Sequence, residues 1–301
     1  MHTFISVFTP LFVNVNGCVL KNGMPANTQE LQKTAQKLRI SIIEMLTEAK
    51  SGHPGGSLSA VEIVTALYFS EMRHDPKRPD WAERDRFVIS KGHGVPAVYA
   101  AMAYKGYFPL EELMTLRKTG ARLQGHPDPA RLPGMEAATG SLGQGLSVAQ
   151  GMALAARLSG KNWHTYCLMG DGEIQEGQIW EAAMSAPKFG LGGLTAILDY
   201  NLGQIDGPTN EVMNLEPVAD KWRAFNWNVV TVDGHSFDQL LPALQNSRKA
   251  DIHKGKPTLI IANTVKGKSV SFMEHKNEWH GAAPSKEQMK QAIDEIKGKL
   301  V

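Results

Sequence analysis

A chain of 301 residues can bury a sizeable core, and 42% hydrophobic with 21% charged residues is an ordinary globular composition. The 32 basic and 30 acidic side chains leave a formal charge of +2, so no general field for nucleic acid or anionic lipid is built and an anionic ligand needs a local site. Two cysteines, Cys18 and Cys167, offer no disulfide framework and no apolar run reaches the roughly 18 residues of a membrane span, so a reducing, cytoplasmic setting is expected.

Residues 1–23, MHTFISVFTPLFVNVNGCVLKNG, are apolar without a clear period. They lack the basic start and small-residue cleavage site of a signal peptide. We expect an upstream extension here, with Met24 as the true start and one domain over residues 24–301.

The first helix is expected from Thr28 to Lys50. Asn27 and Glu30 can cap it, and Leu31, Ala35, Leu38, Ile42 and Met45 repeat at helical spacing along one face. Gly52 ends it. A second helix is expected to open at Ser59, with Glu62 completing its cap. Short β-rich runs then follow at 86–90, 164–170, 194–200, 228–234 and 257–265. Helical stretches lie between them at 93–105, 110–118, 143–158, 174–189, 214–226 and 236–249. A last helix begins at Ser285, with Gln288 as the other half of a capping box. Apolar strands alternating with helices indicate an α/β fold, a doubly wound parallel sheet flanked by helices. Ligands of such sheets bind just beyond the carboxyl ends of the strands.

The functional signals fall there. The strand HTYCLMG runs into Gly170-Asp171-Gly172. The glycines allow a tight turn, and Asp171 stands beside the N-terminus of the next helix, a position that favours an anion. A carboxylate fits there when a cation bridges it to that anion, as Mg²⁺ bridges carboxylates and phosphates. The next strand ends at Asp199-Tyr200-Asn201, where Asn201 supplies an amide oxygen and the Gly203 region a backbone carbonyl. A lone Gly-Asp-Gly is weak evidence. Followed at this distance by a strand ending in Asn and then by Ile205-Asp206-Gly207, it is specific.

Four of the ten histidines have glycine neighbours in loops of this kind: His53, His93, His126 and His280. Imidazoles there can hydrogen-bond phosphate oxygens or move protons to and from substrate oxygens. His74, His164, His253 and His275 lie scattered among polar residues and carry no such signal. His235 is assigned to helix initiation.

Taken together, SGHPGGSLSAVEI (51–63), RDRFVISKGHG (84–94), GHPD (125–128), TGSLGQGLSVAQGMA (139–153), GDGEIQEGQIWEAA (170–183), DYNLGQIDG (199–207) and WHGAAP (279–284) resemble the N-terminal part of transketolases, in the same order. The resemblance implies thiamine diphosphate as cofactor, held with Mg²⁺ or another divalent cation such as Ca²⁺ or Mn²⁺. Its metal ligands match Asp171, Asn201 and Gly203. It places His93 and His280 at the diphosphate end, and His53 and His126 against substrate oxygens, with His280 also in the catalytic set. It puts Gly140 and Leu142 against the cofactor together with Gly170 and Gly172, sets Ile205 against its rings, and matches Glu176 to a glutamate near the subunit interface.

Whole transketolases continue past the stretch matched here, into a domain that supplies the glutamate on the cofactor's aminopyrimidine and the sugar-phosphate contacts. The resemblance therefore implies the N-terminal subunit of a split transketolase, active with a C-terminal subunit in a heterotetramer. It implies transfer of a two-carbon ketol unit from a ketose phosphate to an aldose. A deoxyxylulose-phosphate synthase, a 2-oxoacid decarboxylating component and a non-catalytic homologue share the cofactor motif and remain as alternatives.

Overall fold

The computed structural model describes residues 28–299. The expected extension over 1–23, Cys18, the Met24 start and the Asn27 cap lie outside them.

Helix α1 (Thr28–Ala49) buries Leu31, Ala35, Leu38, Ile42 and Met45, the face that the spacing marked. It ends one residue early, and Lys50 takes the left-handed turn at φ 53° ahead of Gly52. Two short helices follow, α2 (Pro54–Ser59) and α3 (Val61–Ala66), and a π-helical turn over Leu67–Glu71. The second helix thus opens at Pro54, whose ring presets the backbone angle of a first helical position. Ser59 is no cap: it is buried at the end of α2, and Glu62 turns to Arg39 at 2.6 Å.

Strand β1 (Arg86–Ile89) leads into α4 (Val95–Lys105), and a 3₁₀ turn (Leu110–Thr115) stands where a helix over 110–118 was expected. Helix α5 (Gln144–Leu158) and β2 (Thr165–Gly170) come next. The expected helix 174–189 divides into a 3₁₀ turn (Gly172–Gln175) and α6 (Gly177–Lys188). Then come β3 (Leu194–Tyr200), a small ribbon of β4 (Gly203–Gln204) and β5 (Gly207–Pro208), α7 (Thr209–Val212) and α8 (Val218–Ala224). The chain closes with β6 (Asn228–Asp233), α9 (Phe237–Ser247), β7 (Thr258–Asn263) and α10 (Lys286–Gly298). Both halves of the Ser285–Gln288 capping box form, at 2.9 and 3.2 Å.

The main sheet is parallel throughout, in the order β1-β2-β3-β7-β6. Its strands alternate between two cores, as side chains on a pleated strand must. Tyr166, Leu168, Ile197 and Ile260 face the layer of α1, α3, α4, α9 and α10, while Cys167, Met169, Leu198 and Leu259 face α5, α6 and α8. One strand departs from the apolar-throughout reading: β6 is the edge of the sheet and is largely exposed, with Val230 facing solvent. Parallel register brings the carboxyl ends of β1, β2, β3 and β7 to one side, and His93, Asp171 and Asn201 stand just past three of them. Among the described residues no helix is long and apolar enough to cross a membrane.

Candidate functional site

A pocket of about 270 Å³ opens beyond those strand ends. Asp171 and Gly172 after β2, Asn201 and Gly203 after β3, and Lys91 and His93 after β1 all line it. Gly56, Leu142, Gly170, Glu173, Glu176, Ile205, Lys266 and His280 complete much of the wall.

Asp171 is buried, 2% exposed. One carboxylate oxygen accepts from the Gly172 N–H at 2.8 Å and the other from the Leu202 N–H, so the turns after β2 and β3 are joined through this side chain. Burial, and then the neighbouring Asp199, push its carboxyl up to about 6. Asn201 donates to Asp199 and to Ser59, each at 3.4 Å, and its side-chain oxygen accepts from the Gly203 N–H at 3.1 Å. The Gly203 carbonyl accepts from Lys266 Nζ at 2.9 Å. One carboxylate, one amide oxygen and one carbonyl oxygen form a donor set of hard oxygens that suits Mg²⁺ or Ca²⁺. Among the described residues no group of three His, Cys, Asp or Glu gathers as a metal centre.

The four glycine-flanked histidines converge. The ring of His53 lies 5.2 Å from that of His93, 5.6 Å from His280 and 6.4 Å from His126, and His93 and His280 are 5.1 Å apart. All four are held toward the neutral form. Burial, then Arg117, brings His53 down to about 4; burial, then Lys266, brings His280 down to about 3. Burial and the Lys91 charge set His93 well below the ordinary imidazole value, and burial with Arg117 lowers His126. His53 Nδ1 is buried and, among the described residues, has no hydrogen-bond partner.

The remaining marked residues divide. Leu142 and Ile205 line the pocket, and Ile205 is 68% exposed, so it is no part of the core. Glu176 stands at the pocket's rim with an exposed side chain. Gly140, at φ 134°, packs against His126: a Cβ there would meet its ring carbons at 2.8 and 2.9 Å. His235 is more than a helix starter. Its Nδ1 donates to Glu62 at 2.9 Å and its Nε2 accepts from the Val265 N–H at 2.9 Å, which ties α3 to the segment after β7. Two histidines read as scattered among polar residues are packed. His164 is buried on Thr195 at 2.8 Å, and His74 bonds the Tyr107 hydroxyl at 2.9 Å.

Sequence reasoning missed a polar floor beneath the site. Lys91 Nζ donates to Asp199 and to the Gly56 carbonyl at 2.9 Å, and Asp199 also accepts from Ser59 at 2.6 Å and from Thr264. Burial raises the Asp199 carboxyl, but Lys91 together with the Ser59 and Thr264 hydroxyls outweighs it and the net direction is down. Glu173 is buried too. It accepts from the N–H groups of Gly143 and Gly170, each at 3.0 Å, and from Ser90, which joins the Gly-Ser-Leu-Gly-Gln-Gly entry of α5 to the Gly-Asp-Gly turn. Lys266 reaches His280 Nδ1 at 2.9 Å, and burial followed by Lys91 lowers its ammonium to about 8. Lys91 and Lys266 put positive charge around a cradle of glycines, which is a setting for an anion such as diphosphate.

A parallel sheet with this acid-amide pair at two strand ends, glycine turns and lysines is a setting for the phosphate-bearing end of a cofactor. The comparisons agree. The family described as "Transketolase, thiamine diphosphate binding domain" matches residues 30–298, and the chain belongs to the transketolase family. It is 48% identical over 267 residues to a 6-deoxy-6-sulfo-D-fructose transketolase subunit of Clostridium sp. (strain MSTE9), covering 89% of this chain and 96% of that one. It is 44% identical over 277 residues to an apulose-4-phosphate transketolase subunit of Phocaeicola vulgatus, covering 92% and 96%. Against whole human transketolase the identity is 43%, and the match spans 89% of this chain but 42% of that protein. The solved transketolase of Campylobacter jejuni superposes with a TM-score of 0.84 at 34% identity, covering 90% of this chain and 43% of that one.

Proposed function

We propose that the chain is the thiamine-diphosphate-holding subunit of a transketolase that moves a two-carbon ketol unit from a ketose phosphate to an aldose, in the cytoplasm. The observation that carries this reading is the convergence of His53, His93, His126 and His280, of which His93 and His280 line one pocket with Asp171 and Asn201. A cofactor domain for simple phosphate binding has no need of four neutral imidazoles, whereas sugar chemistry has protons to move at several oxygens.

When bound, thiamine diphosphate supplies the electron sink for cleaving a bond beside a ketose carbonyl. Asp171, Asn201 and the Gly203 carbonyl would hold a divalent cation, Mg²⁺ by preference. His93 and His280, with Lys91 and Lys266 around them, would meet the diphosphate. His53 and His126, neutral and able to accept a proton, would face the hydroxyl and carbonyl oxygens of the sugar.

A C-terminal subunit completes the enzyme in this proposal, by supplying the carboxylate that activates the cofactor and the groups that grip the sugar phosphate. Two relatives are themselves named as transketolase subunits. Leu142, Leu202, Ile205 and Met213 are exposed apolar side chains near the pocket, of the kind that an obligate partner covers. A heterotetramer with two of each chain is the expected assembly. Those relatives are named for different sugars, so donor and acceptor are assigned by assay. The test is ketol transfer by the purified chain alone and with its candidate partner, with ketose phosphates and pyruvate as competing donors. We expect silence alone and turnover on mixing, with ketose phosphate preferred. Robust turnover by the chain alone would refute the split reading, and pyruvate preference would refute the transketolase reading.

A further inference from the structure

Arg117 follows the 3₁₀ turn Leu110–Thr115 and has a left-handed backbone at φ 60°, a region that residues other than glycine seldom occupy. Its N–H donates to the Leu123 carbonyl at 2.8 Å, which fixes that conformation. The side chain reaches two glycines that directly precede His53 and His126. A Cβ placed on Gly125 would stand 2.7 Å from Arg117 Cζ and 2.9 Å from both Nε and Nη2, so the guanidinium fills the space that a side chain there would need. On its other side Nη1 donates to Ser51 Oγ at 3.1 Å, and Nε lies 3.9 Å from the Cβ position of Gly52.

Other arginines in the fold have carboxylates: Arg73 and Arg248 hold Asp85, Arg84 holds Glu136, and Arg122 holds Glu112. Among the described residues no carboxylate pairs with Arg117, and its hydrogen bond to a side chain goes to a neutral hydroxyl. A half-buried cation that bridges two loops and carries no counter-ion still exerts its charge on whatever lies beside it.

We propose that Arg117 is a positioning residue of the reaction, which locks the loop of His53 to the loop of His126 and sets a fixed positive charge behind both rings. The proposal rests on the two-carbon transfer reading for the roles of those histidines. Its geometry is independent of that reading. After burial, Arg117 is the foremost influence that keeps each of the two rings unprotonated. His53 is also faced by His126, Lys266 and Lys91, with the rings of His93 and His280 at 5.2 and 5.6 Å. His126 is faced by Arg117 and by the His53 ring at 6.4 Å. Lys91 and Lys266 line the pocket beyond the strand ends, and Arg117 is not among the residues that line it.

NMR titration of the His53 and His126 imidazoles in the purified chain, for wild type, Arg117→Met, Arg117→Lys and Ser51→Ala, tests the charge. Arg117→Met should raise both midpoints by about half a unit to one unit, while Arg117→Lys and Ser51→Ala leave them in place. In the assembled enzyme Arg117→Met should lower kcat by about 10- to 100-fold and move the acid limb of its pH profile upward, with thiamine diphosphate affinity unchanged. Ser51→Ala should lower kcat without moving the limb, because the charge stays and the tie is lost. Arg117→Lys should keep the limb and lose part of the turnover, because an ammonium cannot span Ser51 and Gly125 together. Unchanged midpoints in a folded Arg117→Met chain would overturn the proposal, as would Arg117→Lys midpoints shifted like those of a neutral residue. If Arg117→Met does not fold, full kcat in Ser51→Ala refutes the tie. The titration needs no turnover, so failure to find ketol transfer in any assembly would sink the functional reading and leave this test standing.

Discussion

Lys91 and Asp199 form an ion pair under the cofactor cradle, with their side chains 1% and 0% exposed. Asp199 lies at the end of β3 and Lys91 just past β1, two strands separated in the sheet by β2. The pair therefore crosses over the end of β2, where Gly170 and Asp171 stand. A Cβ on Gly170 would meet the Lys91 side chain at 3.7 Å, an ordinary van der Waals contact, so the lysine passes directly over this strand end. The pair fixes the floor against which Asn201 and Ser59 are set.

Removing one member of that pair should be costly and removing both much less so. Asp199→Asn leaves a buried ammonium without its counter-charge, and Lys91→Met leaves the carboxylate with two hydroxyls and the Asn201 amide but no cation. Each should lower stability by about 3–5 kcal/mol, because an uncompensated buried charge is expensive. Urea denaturation of both single variants and the Lys91→Met/Asp199→Leu double variant would measure the coupling. Single losses that simply add in the double variant would show that the two charges do not stabilise one another.

The cation ligands make a second expectation. Asp171→Ala or Asn201→Ala should abolish Mg²⁺-dependent binding of thiamine diphosphate, since each leaves the metal short of an oxygen while the diphosphate charge remains. Calorimetry on the assembled enzyme reads this directly. Full affinity in a folded Asp171→Ala protein would remove Asp171 from the site.

The histidines should divide by function. Alanine at His93 or His280 should weaken thiamine diphosphate first. Alanine at His53 or His126 should lower kcat by about 10²–10⁴-fold and spare the cofactor, the usual range for a lost proton-transfer group. Separate titrations of cofactor and substrate in the four variants check it. If His126→Ala lost cofactor and His93→Ala lost only turnover, the two pairs would have to be exchanged.

Much of this site was legible in the sequence because glycines and strand ends are local signals. Gly-Asp-Gly after one apolar strand and Asn after the next mark Asp171 and Asn201, which line one pocket, and glycine neighbours mark the four histidines that converge. The alternation of apolar strands and helices gave the parallel sheet. What stayed hidden is pairing across the sheet. Asp199 and Glu173 read as members of a motif, and nothing local tells that Lys91 or Ser90 lies beneath them. A carboxylate at the end of an otherwise apolar strand was the available clue to Asp199, and the rule that strand ends line the site would have reached Lys266, three residues past β7. Ser59 misled because Ser followed by Glu at 62 imitates a capping box, whereas Pro54 starts the helix earlier. His235 misled because the partners that explain it, Glu62 and Val265, are far away in the chain.

The neutral histidines also predict how the fold responds to acid. In the folded chain His53 and His280 titrate at about 4 and about 3, below the 6.5 of a free imidazole. The sign follows from proton counting. Below pH 6.5 the unfolded chain takes up protons that the folded chain refuses, so unfolding is favoured as the pH falls. The loss begins near pH 6.5, grows as the pH drops and is complete once the folded rings themselves protonate, near 4 and 3. Stability should therefore rise with pH across that window and show no further contribution from these rings above about 7. Replacing His53 and His280 with glutamine removes the titrations while keeping polar side chains of similar reach. The double variant should then lose less stability than the wild type between pH 7.5 and pH 5, whatever its absolute stability at pH 7.5. Denaturant melts of the two proteins at the two pH values give the comparison, and only the difference of differences matters. Equal losses for variant and wild type would mean that the cluster is not held neutral in the folded chain.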